Sequence, residues 1–303
     1  MRRFRALVRS AALEALSDPL SSVLFLAALL AVPLLPVFHC HQFGEPGRLP
    51  RECGFSAMLV FGIVFATASA VRVIGGEISS GTAAAALARA VPRSLFFCAK
   101  ITGVLLAFAV FAMAVSLSTL VSVAAAEAGE IEASAHGGIR IWMPGLASSV
   151  LCTLAGFALA AAANRFFRAR FCAGACMALA LAQIPPLAVA VLLSPAEVSW
   201  RLVPAMGVLA VACGVFIVLA GALAVWMPAA FVTAGISIAV LSSFVWPVRA
   251  LVPDIQRFWL VDAYSGGNVP SVGILASAFA AGALLIVFWM VVGSVLLERR
   301  ELP

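Results

Sequence analysis

Phe96-Phe97-Cys98-Ala99-Lys100-Ile101-Thr102-Gly103 opens a run that continues through Val104-Leu105-Leu106-Ala107-Phe108 and stays apolar to Ala126, with Lys100 as its only charge. The run exceeds the ~20 residues that a helix needs to cross the hydrocarbon core of a bilayer. It lacks the alternation of polar and apolar residues that a barrel strand carries, so it reads as a spanning helix. Seven further runs of this kind lie at about 20–38, 55–74, 144–163, 172–193, 205–226, 229–246 and 271–297. The expected fold is an all-α polytopic transmembrane bundle of about eight spans. An alternative count is six spans plus an extra hairpin (residues 205–246) or a re-entrant element.

Composition agrees. Of 303 residues, 64% are hydrophobic and only 11% charged, and the mean hydropathy is +1.14. Soluble domains carry roughly 25% charged residues, so the whole chain reads as a single transmembrane domain over residues 1–303, surrounded by membrane lipids. The net charge of +6 does not point to nucleic acid, because the basic residues recur in short clusters between apolar runs. With the N-terminus inside, thirteen of the nineteen arginines and lysines fall on inner segments. That bias places both termini in the cytoplasm and fits an integral protein of a bacterial inner membrane.

Residues 1–18 form an amphipathic basic segment. Phe4, Leu7, Val8 and Ala11 recur at helical spacing, while Arg2, Arg5 and Arg9 fall on another face. Such a helix is expected to lie along the membrane surface. Asp18-Pro19 then supplies an N-cap and a first-turn proline for the next helix. Near the other end, residues 247–269 mix Ile255, Phe258 and Trp259 with Asp254 and Arg257. This segment is expected to be an outer interfacial or re-entrant element, with Pro253-Asp254 starting a short helix.

Candidate chemistry is sparse. His39, Cys40, His41 and Cys53 share the first outer loop and have the residue types of a zinc or copper site. A Cys40–Cys53 disulfide, or free thiols, accounts for the same residues more simply. Gln183-Ile184-Pro185-Pro186 interrupts the run at 172–193. Two prolines remove amide donors and kink the helix there. A broken helix at mid-membrane marks a substrate site in some carriers, and a purely structural kink is the other reading. No catalytic constellation is present, so the chain is not expected to be an enzyme. A phosphate-binding P-loop needs a Gly-Lys pair, and the sole lysine, Lys100, follows Ala99.

The stretch before the opening run is the longest polar break on the basic side. It runs Arg72-Val73-Ile74-Gly75-Gly76-Glu77-Ile78-Ser79-Ser80-Gly81-Thr82, then through Leu87 to Val91-Pro92-Arg93 and Lys100. Gly75-Gly76 loosens the second span. Ser80 or Thr82 can cap a short helix over Ala83–Ala90, and Val91-Pro92 forces an extended corner. Glu77-x-x-x-Gly81-Thr82, with Leu87, Val91, Pro92, Arg93 and Lys100, resembles the signature between the second and third spans of ABC type-2 exporter permeases. The tail Glu298-Arg299-Arg300-Glu301-Leu302 and the N-terminal surface helix, the family's elbow, are similar as well. The resemblance implies a permease without its own ATPase. Its partners would be a cytoplasmic P-loop subunit carrying ATP and magnesium and a second permease copy or homologue. Residues 75–94 would then be the coupling-helix region. A non-transporting scaffold that docks a cytoplasmic partner, or a secondary carrier, would use the same membrane architecture.

Overall fold

The computed structural model describes residues 2–38, 47–83, 91–136, 142–168, 170–243, 254–265 and 270–300. Within them every regular element is helical. The first helix, α1 (Arg2–Leu16), buries Ala11, Ala15 and Leu16 and exposes Arg2, Arg3, Arg5 and Arg9. The amphipathic pattern is thus realised as one packed face and one charged face. Asp18 ends it: its carboxylate accepts from the Leu20 amide at 3.3 Å, and Pro19 occupies the first turn of α2 (Pro19–Leu34). The axis bends by 65° between α1 and α2.

Among the described residues six helices are long and apolar enough to cross a membrane. They are α3 (Arg48–Ala70, prolonged by a π-helical turn at Val71–Gly76 and one further turn at Glu77–Ser79), α4 (Arg93–His136), α5 (Met143–Phe167), the broken pair α6 (Phe171–Leu181) and α7 (Ile184–Leu193), α8 (Leu202–Ala224), and α12 (Val272–Arg299). Between α8 and α12 lie α9 (Ala229–Ser242), α10 (Ile255–Phe258) and α11 (Val261–Ser265).

Of the two expected counts the described residues favour the lower, with six spans, or seven if α1 and α2 form one bent span; two of the anticipated runs fall short for identifiable reasons. Pro33 sits inside α2, which gives way to a 3₁₀ turn at Leu35–Phe38. By standard rises, α2 contributes ~24 Å and the 3₁₀ turn another ~8 Å, so a seventh crossing takes both pieces. The run at 229–246 yields only the 14 residues of α9, ~21 Å, with Val232, Ile236 and Ala239 buried and the opposite face exposed.

The notion of an added hairpin over 205–246 fails for its first half. The α8 helix is the most buried of the six and packs on α3, α4 and α12. Gly221 explains part of this closeness: a Cβ there would strike Ile101 and Ile74. Two more glycines precede it on α8 at seven-residue intervals: Gly214 is also in close contact, with Ile286 and Leu105, whereas Gly207 faces open space.

The core lies among α2, α3, α4 and α8. Phe25, Phe65, Phe108 and Phe111 form its centre, with Phe25 and Phe111 edge to face at 5.1 Å and Phe65 stacked on Phe111 at 5.9 Å. Outward-facing positions are apolar as well: Leu192, Leu241, Val272 and Leu284 are each at least 70% exposed. Large apolar side chains exposed to this degree along apolar helices are compatible with a lipid surround. The segment before the last helix begins as expected, since Asp254 caps α10 by accepting from the Gln256 amide at 3.2 Å. Ile255 and Phe258 are buried there, and Phe258 lies where a Cβ on Gly282 of α12 would touch it.

Candidate functional site

The α4 helix starts at the polar break and runs 44 residues, so its first two turns stand at one end of the bundle beside the termini of α3 and α12. Lys100 points inward there and is only 3% exposed. A lysine so buried must be paired, because an isolated ammonium in an apolar setting is prohibitively costly. Its Nζ donates to Glu77 Oε1 at 2.5 Å and to Glu14 Oε2 at 3.3 Å, and it stands 5.8 Å from the Phe96 ring centroid.

These partners come from three elements. Glu14 lies on α1, Glu77 follows the π-helical turn, and Lys100 is on α4. The π turn rotates the end of α3 relative to an α-helical continuation and ends in Gly75-Gly76. Helix α1 is pressed onto α4 at Gly103, where a Cβ would collide with Ala11 and the Val8 carbonyl. Two carboxylates thus serve one ammonium, and Glu77 Oε2 is buried without a partner. The Glu14 carboxyl is held above its ordinary value, chiefly because burial disfavours its charge, with Lys100 opposing and Glu77 adding to the shift.

A second pair reinforces the first. Arg72 Nη1 meets Asp18 Oδ1 at 2.9 Å, so the residue that caps α2 also ties it to the end of α3. Arg93 does something different. Its Nη1 donates to the carbonyl oxygens of Glu298 at 2.9 Å and Arg300 at 2.8 Å, with Leu297 at 3.5 Å. Those carbonyls belong to the last turn of α12, which has no intrahelical donors for them. Trp226 Nε1 adds a bond to the Leu296 carbonyl at 3.2 Å. The basic tail is therefore clasped from α4 and from the α8–α9 corner.

Beside this clasp runs a groove of about 440 Å³, bounded by Arg72, Gly76, Ser79, Trp226, Met227 and Arg300. Gly81 adopts φ +71°, a left-handed conformation that glycine enters freely. Thr82 Oγ1 turns back to the Glu77 carbonyl at 3.3 Å and lies 2.9 Å from Ser80 Oγ. Both hydroxyls thereby close the turn that precedes them. Val91 is half-buried and Pro92 exposed at the corner before α4. Leu87 and the short helix expected over 83–90 lie outside the described residues.

The structure thus gathers Glu77, Gly81, Thr82, Pro92, Arg93 and Lys100 at one end of the bundle, with Lys100 inside and the others at or near the surface. Glu14 and Trp226 join them without having been singled out in the sequence, and Asp18, expected only as a helix cap, joins them as the partner of Arg72. One signal for Glu14 was present: it is the only acidic residue between Arg2 and Ser17.

The other candidates behave differently. His39, Cys40 and His41 lie outside the described residues, as does the Cys40–Cys53 pairing. Cys53 is half-buried on α3, and among the described residues no three His, Cys, Asp or Glu side chains converge as metal ligands. Gln183 is wholly buried at the break between α6 and α7, with Pro185 and Pro186 opening α7. Its Nε2 donates to Thr153 Oγ1 at 3.1 Å and the Leu179 carbonyl at 3.4 Å, while Oε1 has no partner.

No family model matches this sequence, and comparison with curated proteins and with solved structures gives no significant match.

Proposed function

We propose that this chain is the membrane-spanning permease subunit of an ATP-binding cassette exporter, set in a bacterial inner membrane with both termini cytoplasmic. It is driven by a separate P-loop ATPase that binds ATP and magnesium, and it works opposite a second permease copy or homologue. The observation that carries this reading is Lys100, held between Glu77 and Glu14 inside the end of the bundle where the signature residues gather.

A permease moved from outside needs a surface to be pushed and an interior element with two arrangements that the push can bias. The groove beside Arg72, Gly76 and Arg300 offers the surface, with Glu77 set between two of its lining residues, Gly76 and Ile78. Lys100 offers the second part. It grips Glu77 closely and Glu14 more loosely, so a small displacement of the Gly75-Gly76-Glu77 turn shifts its pairing towards Glu14. Helix α1, the elbow, and α4 then respond together, because both are bound to that charge. On this reading Lys100 acts through Glu77 and Glu14, and Glu77, Pro92 and their neighbours meet the partner.

The test is co-purification of the chain with the P-loop subunit that associates with it, followed by ATPase measurement in proteoliposomes. The expected result is turnover that rises when the permease is present and loses that response in Glu77→Gln while the complex stays intact. A bound partner without a nucleotide site would replace the exporter reading with that of a docking scaffold. Transport in vesicles without ATP would replace it with a secondary carrier.

A further inference from the structure

At the opposite end of the bundle from Lys100, a cavity of about 500 Å³ is lined by Arg51, Glu197, Ser199, Trp200, Arg201 and Tyr264. An apolar groove of about 460 Å³ runs between α4 and α8, lined by Met113, Leu117, Leu120, Met206 and Gly207. Trp200 lines both, so a polar chamber and an apolar channel meet at one indole. On α4 the channel extends from Leu120 back to Ala109, a length of ~17 Å at standard helical rise.

The chamber's chemistry has both signs. Arg51 is oriented by two bonds, Nε to the Gly47 carbonyl and Nη1 to the Tyr264 carbonyl, each at 3.0 Å. A guanidinium has five N–H donors, so these two bonds leave others free for an anionic oxygen. Arg201 stands across the chamber, its own carbonyl accepting from Tyr264 Oη at 2.7 Å. Against these two cations the lining sets one carboxylate, Glu197; Glu127 lies outside the lining, beside Gly47, where a Cβ would stand 2.9 Å from its Oε1. Groups of both signs thus face one chamber, and together with the aromatic faces of Trp200 and Tyr264 they suit a headgroup that itself carries both signs.

We propose that this is a binding site for a zwitterionic phospholipid with an ammonium-bearing headgroup. The phosphate sits between Arg51 and Arg201, where guanidinium–phosphate hydrogen bonding is strong and directional. The ammonium sits against Glu197 and the aromatic faces. One acyl chain follows the α4–α8 groove past Trp200, a residue type that favours the boundary between headgroup and hydrocarbon. Gly207 belongs to this arrangement: a Cβ there would meet nothing within 4 Å, so the missing side chain keeps the channel open without serving any helix contact. The proposal requires only that α4 and α8 cross the membrane, and it stands or falls independently of the permease reading.

The test is a native mass-spectrometry titration of the full-length protein in detergent with phosphatidylethanolamine, phosphatidylglycerol and diacylglycerol of matched chains. One phosphatidylethanolamine should bind in preference to phosphatidylglycerol, and diacylglycerol should bind more weakly by about tenfold or more, the loss expected for charge-assisted hydrogen bonds. Arg201→Ala should weaken phosphatidylethanolamine towards the diacylglycerol level without reaching it, since Arg51 remains, and Glu197→Gln should abolish the preference over phosphatidylglycerol. Gly207→Leu should weaken all three lipids alike with an unchanged unfolding midpoint. Equal binding of the three lipids by wild type, or wild-type binding by Gly207→Leu, would overturn the proposal. A preference for phosphatidylglycerol would overturn the zwitterion assignment and leave an anion site.

Discussion

Replacing Lys100 by methionine tests the hub most directly. Methionine matches the aliphatic stem in length and removes only the charge, so packing against Phe96 is retained. The two carboxylates lose their shared cation, and Glu77 Oε2 already lacks a partner. Breaking a buried ion pair by deleting one member costs about 3–5 kcal/mol, whereas removing both members together is close to neutral. Glu77 and Glu14 keep 24% and 32% of their side-chain exposure, so solvent relieves part of the loss and the lower end, about 3 kcal/mol, applies. The assay is denaturant-induced unfolding in one detergent, comparing Lys100→Met with the double variant Glu77→Gln/Lys100→Met. The single variant should lose about 3 kcal/mol and the double should recover most of it. An unchanged midpoint in the single variant, or a double variant that is no better, would refute the view of Lys100 as an interior tether.

Three further outcomes are expected. The raised Glu14 carboxyl implies that ionising it costs more in the folded protein than in the unfolded chain. Stability should therefore fall as pH climbs from about the unfolded value of 4.5 through the higher folded value, and Glu14→Gln should flatten that slope in pH-dependent unfolding curves. Arg93→Ala leaves the last α12 carbonyls without their charged donor, a loss of about 1.5–3 kcal/mol. Hydrogen exchange at residues 293–300 should accelerate while the exchange of α8 stays unchanged. Gln183→Leu removes a buried amide whose Oε1 has no partner, so it should leave the unfolding midpoint unchanged or raise it. A marked fall would mean that the amide holds the α6–α7 break together.

Several features of the fold could be read from local sequence alone because their causes are local. Asp18-Pro19 caps and starts α2, Asp254 caps α10, and the two prolines after Gln183 divide α6 from α7, each through atoms within a few residues. The lower of the two expected span counts fits the described residues, and the higher one fails where hydropathy and helical continuity part company. The run at 20–38 is apolar throughout, but Pro33 hands its end to a 3₁₀ turn, and the run at 229–246 yields only 14 helical residues. The role of residues 205–226 was misplaced for a different reason. Hydropathy scores a helix facing lipid and a helix buried among other helices alike, so nothing in α8 itself announces that it is central.

The polar break shows the same division. Composition determined that the solvent is lipid, because a chain with 11% charged residues cannot keep a soluble surface. Residue identity alone shows that the single lysine follows an alanine, so these residues contain no Gly-Lys pair. What only the tertiary structure decided is what that lysine does. Glu77 is 23 positions away and Glu14 is 86, and their meeting depends on the π-helical turn at the end of α3 and the close seat of α1 on Gly103. Periodicity and propensity describe how a segment meets its solvent. Which charge finds which across the bundle depends on helix register and approach distance, and those exist only once the helices have packed.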